Sequence, residues 1–315
     1  MPNLNLLDIA KLRGHAKEVG LIESVMTAAP ELEVIGARTI KGTSYKTVDR
    51  TSLPATGFAN ANEGVVPGKS AFAVKTVECF IFRGAINVDK AVAMANEDGP
   101  AALQAVEASG VGQSAGIEIG KQVWYGVDED SKGFPGLRSL CPAGMKIDAT
   151  GTTAATGSSV FGVKFGPQHV QMIYGGGSVL SLPPFREQSV TDANGGQYDA
   201  YVSNLTAWIG MQCVHPYSIG RIHNLTAEAG KGLTDSLLAD LLALYPVGFT
   251  PDAFFMSRRS RTQLQKNRTV VLQGTGAKGG VGSAEGLVAP LPTEAFGIPI
   301  IVTDNLLNTE VLGAA

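Results

Sequence analysis

Residues 34–49 read VIGARTIKGTSYKTVD, rich in the Val, Ile, Thr and Tyr that suit a pleated surface, and predict a strand. Residues 71–83, AFAVKTVECFIFR, predict a second strand that grows more continuously apolar toward its end. Between them lies RTSLPATGFANANEGVVPGKS, residues 50–70. It has two prolines, three glycines, two asparagines and only three branched aliphatic residues. Two strand arms therefore flank a long, weakly hydrophobic loop.

Elsewhere the pattern changes twice. Residues 5–29 predict a partly amphipathic helical arm with Leu6, Ile9, Leu12, Val19, Ile22, Val25 and Met26, interrupted at Gly14 and Gly20 and ended by Pro30. Asp98-Gly99-Pro100 predicts a helix start with a capping aspartate and proline in the first turn. That helix is expected to run to Tyr125 and to end at Gly126. At ~1.5 Å per residue it would be about 40 Å long. Leu103, Val106, Ile117 and Trp124 form one stripe on it. Ala105, Ser109, Gly112 and Gly116 form another that admits a close neighbour. Gly110, Gly112 and Gly116 each cost about 1 kcal/mol against alanine, so a bend or break is expected there.

From 127 to 297 short strands and glycine turns dominate. Residues 160–174 and 198–214 predict antiparallel strands. In the second, Leu205, Ala207, Ile209, Met211 and Cys213 alternate with Thr206, Trp208 and Gln212. A helix is predicted over 233–245, carrying Leu237, Leu238, Leu241, Leu242 and Tyr245 and stopped by Pro246. Another is predicted from Pro251, holding Phe254, Phe255 and Leu264. Residues 269–273 and 298–303 predict late strands. Without regular strand–helix alternation the chain is α+β.

The geometry of the hairpin is the informative feature. Arms of roughly 13–16 residues at ~3.3 Å each reach about 40–50 Å, while a compact chain of this length has a radius of gyration of about 20 Å. Such a ribbon is hard to fold back on its own core, and an isolated two-stranded ribbon is marginal in water. Either a second molecule holds it or the segment is a disordered surface loop.

Composition narrows the classes. The chain has 315 residues, 44% hydrophobic and 17% charged, below the usual charged share of about 25%. A sparse surface charge is expected where partner subunits cover much of it. A net charge of −3 excludes general attraction to polyanions. Cys79, Cys141 and Cys213 form no CxxC pair or disulfide framework, which suits a reducing compartment. No signal peptide is read in MPNLNLLDIAKLRG, and no run approaches the ~18 apolar residues of a membrane span.

Arg50-Thr51 with Leu53-Pro54, then Asn62-Glu63-Gly64-Val65 and Lys69-Ser70, resemble the extended loop of tailed-bacteriophage major capsid proteins, in the branch without a fused scaffolding segment. Leu7-Asp8-Ile9-Ala10-Lys11 resembles that family's opening. Val88-Asp89-Lys90 leads toward its long helix, which ends at Tyr125-Gly126. Trp208 and Gly210, then Arg221, Ile222 and Asn224, resemble two of its strands. The likeness covers nearly the whole chain in order.

The resemblance implies the Hong Kong 97-type capsid fold. Its parts would be an N-terminal arm (1–33), an extended hairpin loop (34–78), a peripheral domain with a spine helix (79–130), an axial domain (131–297) and a C-terminal strand returning to the core (298–315). It implies a non-enzymatic subunit of an icosahedral phage head that encloses double-stranded DNA without sequence specificity. Partners would be copies of itself in hexamers and pentamers, a scaffolding protein and a portal, with no membrane and no cofactor. The protein would reside in the virion, after assembly in the host cytoplasm. Arg50, Leu53, Pro54, Phe58, Asn62, Glu63 and Lys69 are the expected intersubunit contacts of the loop. Trp208, Gly210, Arg221 and Asn224 are expected to be structural. No motif identifies a lysine–asparagine cross-link.

Five further patterns have plainer readings. Gly112-Gln113-Ser114-Ala115-Gly116 matches the nucleophile elbow of serine hydrolases, which needs a strand before Ser114, whereas the preceding residues are helical. Helix packing by small residues explains it better, with a hydrolase as the rival reading and a small oligomeric binding protein using 50–70 as a lid as another. Gly274-Thr275-Gly276-Ala277-Lys278-Gly279 matches a dinucleotide fingerprint but precedes loop, not helix. Cys213, His215 and His223 lack a fourth ligand and are expected to be structural. Asn204, Asn224 and Asn267 head glycosylation sequons expected to go unused. Arg258, Arg261 and Arg268, with Arg259 and Lys266 nearby, form a basic stripe. Ion pairing or solvation is favoured over contact with packaged DNA, because many strong phosphate contacts would hinder genome movement.

Overall fold

A computed structural model describes residues 28–177, 180–268 and 291–313. One turn of helix, α1 (Glu31–Val34), precedes the short strand β1 (Ala37–Thr39). The strands β2 (Ser44–Ser52) and β3 (Ala71–Glu78) pair antiparallel as a two-stranded ribbon. After Cys79 alone, β4 (Phe80–Asp89) begins in a different sheet. Asp89 then caps α2 (Lys90–Ala95), its carboxylate accepting from the Ala91 amide at 2.7 Å. The long helix α3 (Pro100–Tyr125) follows, then α4 (Leu137–Leu140), β5 (Lys146–Asp148), β6 (Ser158–Val163), β7 (Val170–Tyr174), β8 (Arg186–Thr191) and β9 (Gln197–Cys213). The chain closes with β10 (Ile219–Leu225), α5 (Asp235–Ala243), β11 (Ala253–Met256), α6 (Arg258–Arg268), β12 (Glu294–Ala295) and β13 (Ile298–Val302).

Two sheets make the body. A five-stranded sheet runs β1-β7-β9-β4, with β8 pairing the other end of β9. A six-stranded sheet runs β12-β13-β11-β6-β10-β5. The C-terminal half of α3 joins them. Ile119, Val123 and Trp124 are buried, and the Trp124 ring sits 5.1 Å from Phe161 on β6 and 5.0 Å from Phe255 on β11. Earlier in α3, Val111 lies against Gly84 of β4, where a Cβ would meet it at 3.2 Å.

Several expectations are corrected. The predicted strand at 71–83 is two strands, because Phe80 onward finds β9 as its partner while the residues before Cys79 pair with β2. The hydrogen-bonded ribbon is thus only eight or nine residues long, about 30 Å instead of 40–50 Å. Likewise 160–174 divides into β6 and β7 of different sheets. The helix expected from Pro251 starts only at Arg258. Ala253–Met256 is a fully buried strand held between β6 and β13, and a four-residue apolar run cannot be told from a helix segment by period alone.

The spine helix shows no break. It is a 26-residue helix through Gly110, Gly112 and Gly116. Packing explains part of this: Gly112 and Gly116 are buried, and a Cβ on Gly120 would strike Asn305 at 2.1 Å and Glu31 at 2.4 Å. Asp98 does not cap the helix; Gly99 does so, without a side-chain bond. Gly126, with φ +60°, ends it as expected. The stripe Leu103–Val106–Ile117–Trp124 is not a buried face, since Val106 and Ile117 are exposed and only Trp124 is enclosed. Ala105 and Ser109 are exposed too, so close approach is confined to the second half of α3. The arm at 5–29 falls outside the described residues except for its last two, and residues 269–273 and Gly274–Gly279 fall outside them entirely.

Candidate functional site

The ribbon has two unlike faces. Along β2 and β3, Tyr45, Thr47, Asp49, Ala73, Lys75 and Val77 turn inward, while Lys46, Val48, Arg50, Phe72, Val74 and Thr76 are exposed. At its root the inner face is fixed to the body. Val77, Cys79 and Ile173 form a small core with Ile40, Tyr45 and Trp208, and the Lys75 ammonium donates to the Val214 carbonyl. Burial raises the Cys79 thiol pKa. The closest approach is at Gly210, where a Cβ would lie 2.4 Å from the Glu78 carbonyl oxygen and 3.3 Å from Cys79 Cα. Trp208 and Gly210 are therefore the seat of the ribbon.

Beyond the root, the outer face of the ribbon is left exposed among the described residues. Val48 and Val74 face one another across the strands and both are exposed, as is Phe72, over which the Arg50 guanidinium sits at 5.5 Å. Every residue from Leu53 to Lys69 is exposed. Leu53, Phe58, Val65 and Val66 leave large apolar side chains in water. The two limbs stay side by side, since a Cβ on Gly68 would come within 2.9 Å of the Ala55 nitrogen. Asn60 and Glu63 close the tip: the Glu63 carboxylate accepts from the Asn60 amide at 3.1 Å, and Asn62 takes φ +69°. Pro54 and Lys69 flank this exposed stretch. The loop is no lid on its own body.

The six-stranded sheet holds a buried polar knot. Glu310, from the C-terminal segment, accepts from Tyr125 at 2.8 Å, Ser159 at 2.6 Å and Arg221 at 3.1 Å. Ser159 in turn accepts from Arg221 Nε at 3.0 Å, and Tyr125 accepts from the Leu307 amide at 2.8 Å. Burial pulls the Arg221 pKa down, and the Glu310 carboxylate beside it opposes that. Asn224 sits at a bulge in β10 with φ +57°, a conformation asparagine tolerates better than most residues. It donates to Asp148 at 2.9 Å and exchanges bonds of 3.1 Å with Gly313. Arg221 and Asn224 thus pin the C-terminal segment. Glu310, Tyr125 and Ser159 were not picked out from the sequence, because nothing local marks a residue 89 positions from Arg221 as its partner.

The basic stripe is largely used internally. Arg258 pairs with Asp304 at 2.6 Å, and Arg268 donates to Asp235 at 2.7 Å. Arg259 donates to the Thr156 carbonyl at 2.7 Å. Arg261 is half-buried on the same helix. Ser114 lies exposed in the middle of α3 with helix on both sides, so the strand-to-helix elbow is missing. Cys213, His215 and His223 are not assembled as a site. His215 stacks 4.4 Å from Phe249, and His223 lies opposite Asp148 in the β10–β5 register. Among the described residues no group of three or more His, Cys, Asp or Glu is placed to hold a metal ion, and no helix is long and apolar enough to cross a membrane.

A long helix spanning two sheets, with a rooted ribbon left unsupported at its far end, defines the class of capsid subunits with the Hong Kong 97-like fold. A chain from the near-atomic structure of bacteriophage Epsilon15 is similar to this one with a TM-score of 0.64 and 20% identity, covering 89% of this chain and 88% of that one. A chain from the procapsid of bacteriophage JBD30 aligns at TM-score 0.44 and 11% identity over 93% and 99%; the fold assignment rests on the first. No curated protein sequence matches. The family model described as Major capsid protein GP7 matches residues 17–312. The chain belongs to that family, and as a major capsid protein it forms the shell of a phage virion.

Proposed function

We propose that each subunit completes the shell by laying its ribbon and loop on a neighbouring copy, in hexamers and pentamers of an icosahedral head. Arg50, Leu53, Pro54, Phe58, Asn62, Glu63 and Lys69 make the contact in this reading. The observation that carries it is the ribbon's division into a rooted inner face and an outer face whose Val48, Phe72 and Val74 are left exposed. An exposed apolar surface of this kind marks an interaction site. Trp208, Gly210, Arg221 and Asn224 act structurally, the first pair seating the ribbon and the second holding the C-terminal segment. In this reading the subunit divides into arm, hairpin, peripheral, axial and C-terminal parts (1–33, 34–78, 79–130, 131–297 and 298–315). The five-stranded sheet draws β7, β8 and β9 from the fourth of these.

The assembled shell encloses double-stranded DNA without reading its sequence, is built in the host cytoplasm with a scaffolding protein and a portal, and catalyses no reaction. The intrachain pairing of Arg258, Arg259 and Arg268 supports a shell that holds the genome weakly. Weak contacts repeated by symmetry suffice for a durable particle. The test is deletion of residues 53–68 with a short turn in their place. The subunits should remain folded and soluble yet form no closed particles by negative-stain microscopy. Normal shells from the deletion would show the loop to be dispensable.

A further inference from the structure

A cleft of about 630 Å³ opens beside the root of the ribbon, between β4, the C-terminal part of α3 and the turn at 130–134. Its floor is apolar: Phe80, Ile119, Phe134 and Ile209 line it. One wall is held in place by buried Gln122, which donates to the Phe134 carbonyl at 2.7 Å and to that of Asp130 at 3.2 Å. A Cβ on Gly133 would strike that amide at 2.2 Å, so the turn packs directly on it. The rim carries both signs of charge, with Arg83 and Lys132 against Glu118 and Asp130. The outer edge of β4 is also open, since among the described residues β9 is its one strand partner. The cleft is thus preformed, apolar at its base and polar at its edge, as recognition sites usually are.

An exposed aromatic side chain suited to that apolar floor is on the same chain but lies away from it. Phe58 is fully exposed near the loop tip. Residues 44–58, extended at ~3.3 Å each, place it as far as about 50 Å from the ribbon root, and the cleft begins at that root with Phe80. Donor and acceptor at opposite ends of one subunit describe a head-to-tail contact, the kind that closes into rings by rotation. The charges agree as well, because the loop carries Glu63 and Lys69 on either side of Val65 and Val66, matching a rim of mixed sign. We infer that Phe58 of one copy seats in the β4–α3 cleft of the next, with Glu63 and Lys69 meeting the rim. This inference rests on the neighbour contact proposed above and names where on the neighbour it falls.

The experiment uses full-length chain carrying p-benzoyl-phenylalanine in place of Phe58, which keeps the aromatic ring, co-assembled as a minor fraction with wild-type subunits. Particles are irradiated and the cross-linked peptides identified by mass spectrometry. Cross-links between chains at 80–83, 118–122 or 130–134 are the expected result. Particles that cross-link elsewhere, within one chain, or not at all overturn the cleft assignment while leaving the shell reading intact. A wild-type chain that never forms particles overturns both. In a second arm, Phe58→Asp should raise the protein concentration needed for assembly about thirtyfold or more, as loss of a central aromatic anchor does, with an unchanged circular dichroism spectrum. An unchanged assembly threshold also overturns it.

Discussion

The outer ribbon and the six-stranded sheet use the same strand-forming residues to opposite ends. Every residue of β6, β10 and β11 is buried, whereas β2 and β3 bury only Asp49 and Val77 among their 17 residues. In the sheet, even charge is taken inside and satisfied, as Glu310 shows with its three donors. In the ribbon, apolar side chains are left outside. The body buries its apolar surface within the chain, while the ribbon's exposed apolar face is the one the proposed neighbour contact would cover. One glycine joins the two regimes, since Gly210 lets the ribbon root touch β9.

The contrast predicts effects of very different size. Glu310→Ala strips the partner from buried Arg221 and should cost about 3–5 kcal/mol, the usual penalty for breaking a buried ion pair. Chemical denaturation of unassembled subunits would show it, and a cost under 1 kcal/mol would mean that the knot is not central to the body. Gly210→Ala places a methyl against the Glu78 carbonyl and should cost roughly 1–3 kcal/mol as an overpacking change. Because it tilts the ribbon at its seat, it should also yield misshapen or open particles by electron microscopy; regular shells would show that the seat tolerates movement. Phe72→Ser should be smallest for the subunit alone, within about 0.5 kcal/mol as for an ordinary surface change. It should nonetheless slow assembly followed by light scattering. A large loss of subunit stability there would erase the distinction between the two regions.

Much of this molecule was legible in short stretches. The spine helix runs to Tyr125 and ends at Gly126 as read, and α5 falls within the helix read at 233–245. Leu205, Ala207 and Ile209 are buried with Thr206 exposed between them, although the alternation fails at Gln212, which is buried. Two strands with a polar, glycine-containing loop between them were also visible. Misreadings cluster where a partner far along the chain makes the choice. Phe254 and Phe255 fit a helix until β6 and β13 are known to flank them. Gly110, Gly112 and Gly116 suggested a break until the helix was found continuous through them, with Gly112 and Gly116 buried. The β4–α3 cleft draws on residues as distant as Phe80 and Ile209, which no window could have joined.

The elements whose physics is local could be read from the residues: the helix-ending glycine, the period-two strand, and a hairpin too poor in apolar residues at its tip to bury itself. The cap read at Asp98 was instead Gly99. Tertiary structure alone decided that the chain changes sheets at Cys79, that Ala253–Met256 is a strand, and that Glu310 is the counter-charge of Arg221. The reason is the range of the forces involved. Backbone propensity and capping act over a few residues, but strand pairing and the burial of charge depend on contacts between segments that only the folded chain brings together.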